Sequence, residues 1–105
     1  MDSLKIKQIA DKNGFNEASR QLFEECSELI VAVNKYYRKT QETNKSIGDC
    51  LSEEYFAVQI MEEIADVEIM INQLKYLLNL NNDDIEKFIE HKLDRQLGRI
   101  SNSNA

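Results

Sequence analysis

Two short acidic strings are the parts of this chain best suited to chemistry: Glu24-Glu25-Cys26-Ser27-Glu28 and Glu62-Glu63-Ile64-Ala65-Asp66. On a helix, residues three apart share a face. Glu25 pairs in this way with Glu28, and Glu63 with Asp66. At about 100° per residue, each pair falls on the shoulder of its helix's apolar stripe. If the two stripes pack together, four carboxylates converge at the rim of the core. Close carboxylates repel, so an ionised set of four requires a counter-charge. Magnesium suits that role, because it is a hard cation that takes oxygen ligands and keeps waters for a substrate's phosphates. Ala32 and Ala65 leave room near the acidic face. Solvent-facing glutamates in an acidic chain are the competing reading of the same letters.

Other chemistries fit less well. Di-iron bundles use Glu-x-x-His on two helices, whereas the single histidine, His91, has Phe88 three residues before it. His91 reads as a surface residue. Cys26 and Cys50 have neither CxxC spacing nor a neighbouring histidine, so they make no zinc set. Cys26 falls on an apolar face and is expected to be a small buried side chain. Lys92, Arg95 and Arg99 recur at three and four residues, in line with Phe88, and form a basic stripe suited to phosphate oxygens. Basic residues near a helix C-terminus also favour the macrodipole without any ligand. Lys35, seven residues after Glu28, is a weaker candidate of the same kind.

The elements that must position these residues are helical. The chain has no proline and three glycines, and its periodicity is helical throughout. The spacing predicts four helices, with no strand and no internal repeat. The first runs from about Ser3 to Lys12 and stops at Asn13-Gly14. The second starts at Asn16, a plausible N-cap, and runs to about Lys39, with Leu22, Cys26, Leu29, Ile30, Val33 and Tyr37 as its buried stripe. Residues 39–52 are expected to be a polar linker, with Ser52 capping a third helix from about Glu53 to Asn79. That helix carries a seam of Ile60, Ile64, Val67, Ile71, Leu74 and Leu78. Asp83-Asp84-Ile85-Glu86 has capping-box form and opens the fourth helix, which reaches about Ile100 before a frayed tail at 101–105.

At 105 residues the chain is read as one domain, 1–105. So small a core favours completion by self-association. A net charge of −6, from 19 acidic and 13 basic residues, argues against nucleic acid as a partner. The opening MDSLKIKQIADKNG lacks the apolar run of a signal peptide, and no stretch approaches the roughly 18 apolar residues of a membrane span. With so few cysteines, the expectation is a soluble, cytoplasmic protein.

The order Glu24-Glu25-x-x-Glu28, then Glu63-x-x-Asp66, resembles the signature of the all-α nucleoside triphosphate pyrophosphohydrolases. That superfamily comprises the MazG proteins, the dimeric dUTPases and the phosphoribosyl-ATP pyrophosphatases. The texts EECSELIVAVNKYYR, EEIADVEIMINQLKYLL and HKLDRQLGRI are similar to MazG-like sequences beyond their acidic letters, and the likeness spans about Phe15 to Ile100. The resemblance implies a MazG-like four-helix bundle completed as a homodimer or homotetramer, with active sites that include residues of neighbouring subunits. It implies Glu25, Glu28, Glu63 and Asp66 as ligands of Mg²⁺, with Mn²⁺ as a substitute. It implies Lys92, Arg95 and Arg99 as contacts to substrate phosphates. The implied reaction converts a nucleoside triphosphate, a dNTP or non-canonical NTP, into the monophosphate and pyrophosphate. Glu24 or Glu62 could act as the base, and the helical wheel does not choose between them. The interval between Glu28 and Glu63 is longer than is usual in the family, which leaves base preference open. Tyr36, Tyr37, Tyr55 and Phe56 flank this interval and could stack on a base or simply pack. The alternative is a non-catalytic helical module that binds a nucleotide or a protein.

Overall fold

The computed structural model describes residues 1–41 and 47–103. It contains three helical elements, α1 (Ser3–Thr40), α2 (Ile47–Leu77) and α3 (Asn82–Ser103), and no strand among the described residues. The fold is all-α. No helix of the described residues is long and apolar enough to cross a membrane.

Local chemistry explains most boundaries. Asp2 caps α1, its side chain accepting from the N–H groups of Leu4 (3.0 Å) and Lys5 (3.2 Å). The expected break at Asn13-Gly14 is a kink inside α1, where Gly14 takes φ 77° and ψ 175°. That combination is open almost only to glycine. The chain thus turns once at Gly14 and resumes helix at once, with Asn16 inside the helix and not at a cap. At the end of α2, Asn79 adopts a left-handed φ of 52°. The Leu80 N–H then reaches the carbonyl of Lys75 at 2.9 Å, and that of Asn79 reaches Tyr76 at 3.1 Å. This is a Schellman closure with asparagine in the usual glycine position.

Three expected boundaries are corrected. The linker is shorter than 39–52, since α1 runs to Thr40 and α2 begins at Ile47, leaving Ser52 within the helix. The apolar spacing Ile47, Leu51, Tyr55, Val58 already carries the helical period through that stretch. Positions 42–46 of the expected linker lie outside the described residues. The cap of α3 is Asn81, whose Oδ1 accepts from the N–H groups of Asp83 (2.8 Å) and Asp84 (3.2 Å). The two aspartates occupy the first turn, where their charge favours the helix dipole. Helix α3 also continues past Ile100 to Ser103, there being no glycine or proline after Gly98 to stop it.

Helices α1 and α2 pack together, while α3 makes no comparable packing with either. The α1–α2 pair is further tied by Tyr76, whose hydroxyl donates to Asp11 Oδ1 at 2.6 Å, and by Lys7, 5.9 Å above the Tyr76 ring. The buried residues are Ile6, Ala10, Ala18, Ala32, Met70 and Gln73, and Gln73 Oε1 has no partner among the described residues. On α1 the contact line is therefore built on small residues. The expected stripe of large ones is only partly enclosed. Leu22, Cys26 and Leu29 are half-buried, whereas Ile30, Val33 and Tyr37 are exposed. On α2 the expected seam divides in the same way. Ile60, Val67 and Leu74 are half-buried, and Ile64, Ile71 and Leu78 are exposed. The physical reason is close approach: alanines let two helices meet, and large side chains are left to the outer faces. Among the described residues, only α1 and α2 pack closely on one another.

Candidate functional site

Ala18, Glu25 and Ala32 are spaced at sevens along α1, so Glu25 lies on the contact line itself and not on its shoulder. The alanines on either side are 0% and 7% exposed, which brings α2 close enough to enclose part of Glu25. Glu63, seven residues before buried Met70, holds the matching position on α2. One carboxylate oxygen each from Glu25, Glu28 and Glu63 lie within 4.8 Å of one another. Glu25 and Glu63 are half-buried, while Glu28 is exposed at the mouth of the cluster. Glu25 Oε2 and Glu63 Oε2 are cut off from solvent and have no hydrogen-bond donor among the described residues.

The electrostatics follow from this crowding. Burial pushes the Glu25 carboxyl up to about 7, helped by the charge of Asp66, a bond to Glu63 and the charges of Glu28 and Glu63. Glu63 is also raised, first by burial, although its bond with Glu25 acts in the other direction. Burial and the neighbouring carboxylates thus make both groups easier to protonate than a free glutamate. A group of oxygens that must capture either a proton or a cation is chemically suited to a hard divalent ion. Two ligands on opposite sides of magnesium, each at about 2.1 Å, stand about 4.2 Å apart. The three oxygens, within 4.8 Å of one another, would have to draw closer to share one such ion.

Of the residues expected at this site, Glu25, Glu28 and Glu63 are brought together. Asp66 stands outside the three-oxygen set, but its charge acts on Glu25 more strongly than any other. The two candidate bases are separated. Glu24 is exposed and clamped by Arg20, which also holds Glu17. Glu62 lines a groove of about 300 Å³ that it shares with Glu28, Glu63 and Ala32. Ala65, expected with Ala32 near the acidic face, is exposed. Lys92, Arg95 and Arg99 are exposed on α3, which does not pack on the helices bearing the carboxylates, and His91 is exposed on the same helix. Tyr36 and Phe56 are half-buried, Tyr37 and Tyr55 are exposed, and the Tyr55 and Phe56 rings lie 5.6 Å apart. Cys26 is half-buried and free.

Three groove residues were not singled out from sequence, Ser27, Val31 and Gln59. Gln59 stands one turn before Glu63, and that spacing was the available signal. The Arg20 clamp was likewise written in the spacing Glu17-x-x-Arg20-x-x-x-Glu24. Compared with models of known families, with curated proteins and with solved structures, the chain finds no match.

Proposed function

We propose that the chain is a magnesium-dependent nucleoside triphosphate pyrophosphohydrolase of MazG-like type, releasing pyrophosphate and a nucleoside monophosphate. The observation that carries this reading is the convergence of Glu25, Glu28 and Glu63 across the α1–α2 seam, with two buried oxygens lacking any donor. Structural glutamates turned to solvent would have no reason to stand in that seam, where burial penalises their charge.

Glu25, Glu28 and Glu63 would hold the cation, with Asp66 beside Glu25 completing the acidic set. Bound there, magnesium or manganese would neutralise phosphate charge and lower the pKa of the attacking water. Glu62, on the groove wall next to Glu63, takes the proton of that water. Glu24 is engaged by Arg20 and serves the helix surface instead. The water oxygen bonds to the α-phosphorus, and the bond from that phosphorus to the α–β bridging oxygen breaks. The bridging oxygen and its electron pair depart with pyrophosphate.

The active unit in this reading is a homodimer or homotetramer in which the bundle is completed. Its support is the amount of apolar surface a single chain leaves open. Outward-facing Ile71 and Leu78 on α2, and Phe88, Leu93, Leu97 and Ile100 on α3, are all 40–66% exposed. A helix that is apolar on opposite faces belongs in an interior. A neighbouring copy would cover these faces and bring Lys92, Arg95 and Arg99 to the phosphates.

Release of pyrophosphate from standard and damaged nucleotides, measured with Mg²⁺ and with EDTA, tests the proposal. EDTA-sensitive release is expected, and the order of rates identifies the base and sugar preference. A folded protein that turns over none of them overturns the assignment and leaves a binding module.

A further inference from the structure

The groove that begins at Glu28 and Glu63 continues along the crease between α1 and α2 to Lys35 and Gln59. Among the described residues, three carboxylates, Glu28, Glu62 and Glu63, stand in its lining, and Lys35 is the lining's one cation. Lys35 is exposed, and among the described residues it makes no ion pair with any of the three. It follows Glu28 by two helical turns, about 10.5 Å along the axis. A lysine side chain and a phosphate chain anchored at the carboxylates bridge that span together. Opposite it, Gln59 donates from Nε2 to the Tyr55 hydroxyl at 2.9 Å. The second hydrogen on Nε2 is left for a ligand.

We propose that this groove receives the β- and γ-phosphates of the substrate. Lys35 is the counter-charge of the departing pyrophosphate, Gln59 is a neutral donor to it, and the nucleoside lies outside the groove. The inference rests on the pyrophosphohydrolase reading and gives the substrate a direction in that site. A lining with four charged side chains suits a polyanion held with its cation better than a base. Among the described residues, no aromatic ring lines the groove for a base to stack on. As the bond from the α-phosphorus to the bridging oxygen breaks, negative charge accumulates on pyrophosphate. A cation at the far end of the groove would meet that charge where it develops.

The test compares wild type, Lys35→Met and Lys35→Arg in hydrolysis and in product inhibition, with helical circular dichroism to verify folding. Loss of one charge-assisted contact is expected to lower kcat/KM on the order of tenfold to a hundredfold. Inhibition by pyrophosphate should weaken by a similar factor, inhibition by the nucleoside monophosphate should be unchanged, and Lys35→Arg should recover part of both losses. Weakened inhibition by the monophosphate alone would mean that the groove holds the nucleoside, and would overturn the proposal. So would a Lys35→Met enzyme that matches wild type in every respect. In both cases wild-type hydrolysis leaves the function itself standing. A wild type that hydrolyses no nucleotide overturns the two together.

Discussion

Glu25 and Glu63 meet in the α1–α2 seam, each with one oxygen shut off from solvent and donors, and their protonation should set the behaviour of the cation-free protein. The Glu25 carboxyl, held at about 7 against 4.5 for the free side chain, makes the folded state the better proton binder between those values. This group's contribution to stability is therefore fully present below about pH 4.5. It is lost as the pH rises through about 7. At the proposed site magnesium would compete with that proton, so any rise in melting midpoint that it causes should be larger near pH 8 than near pH 5. Thermal melts with Mg²⁺ and with EDTA check this, and an equal rise at both pH values would place the cation elsewhere. Glu63→Gln removes one of the repelling charges and supplies a donor for Glu25. Its EDTA melt near pH 8 should therefore rise, while turnover falls by at least about 100-fold, the upper range for residues that merely support metal ligands. Lower activity together with lower stability would instead mean a structural role. The two candidate bases separate by the same kind of measurement. Glu62→Gln should slow turnover by about 10²–10⁴-fold. Glu24→Gln removes only a surface contact to Arg20 and should leave kcat within a few-fold; the reverse order would move the base to α1.

At the scale of elements, the turns carry the testable strain. Gly14, at φ 77°, has open space where a Cβ would stand, so Gly14→Ala isolates a backbone penalty from any clash. The cost should be about 1–3 kcal/mol, read as a lower midpoint in urea at an unchanged slope. Asn79→Gly, at the left-handed close of α2, should be neutral or slightly stabilising, since glycine is the residue this closure favours. These turn positions were legible because glycine and asparagine chemistry is local, and so were the helical period and the acidic pairs, whereas the caps expected at Asn16 and Ser52 both lie inside helices. The buried face was less so. Apolar spacing identifies which residues seek cover but not which partner covers them. Ile30, Val33, Ile64 and Ile71 satisfy the period of a seam yet lie outside the one formed with α2 or α1. Ala18 and Ala32 make that seam instead, and small residues add little to a hydrophobic pattern. The same shift explains why Glu25, read as lying on a shoulder, stands between the helices.

The molecule as a whole is extended for its length. Its radius of gyration is 18.2 Å, with extents of 49 × 41 × 22 Å, whereas a compact domain of about 100 residues has a radius near 13 Å. Much of the difference lies in α3, of which only Ile85 is even half-buried among the described side chains. In a symmetric dimer each substitution acts twice. Burying an aliphatic side chain contributes about 1.5–3 kcal/mol, so Ile71→Glu or Leu97→Glu should shift assembly strongly toward monomer. Light scattering should give the mass of a dimer or tetramer for wild type, with a melting midpoint that rises with concentration. Wild type at monomer mass with a fixed midpoint would mean that these faces are ordinary surface. Subunit mixing then asks whether α3 serves its own site or a neighbour's. In the proposed site, Glu63→Gln would lack a cation ligand and Arg95→Ala a phosphate contact. If sites are shared, each mixed dimer carries one site with both residues intact. Random pairing makes half of the dimers mixed, so about a quarter of all sites should recover. If α3 folds back on its own chain, every site carries one lesion or the other, and mixing restores nothing.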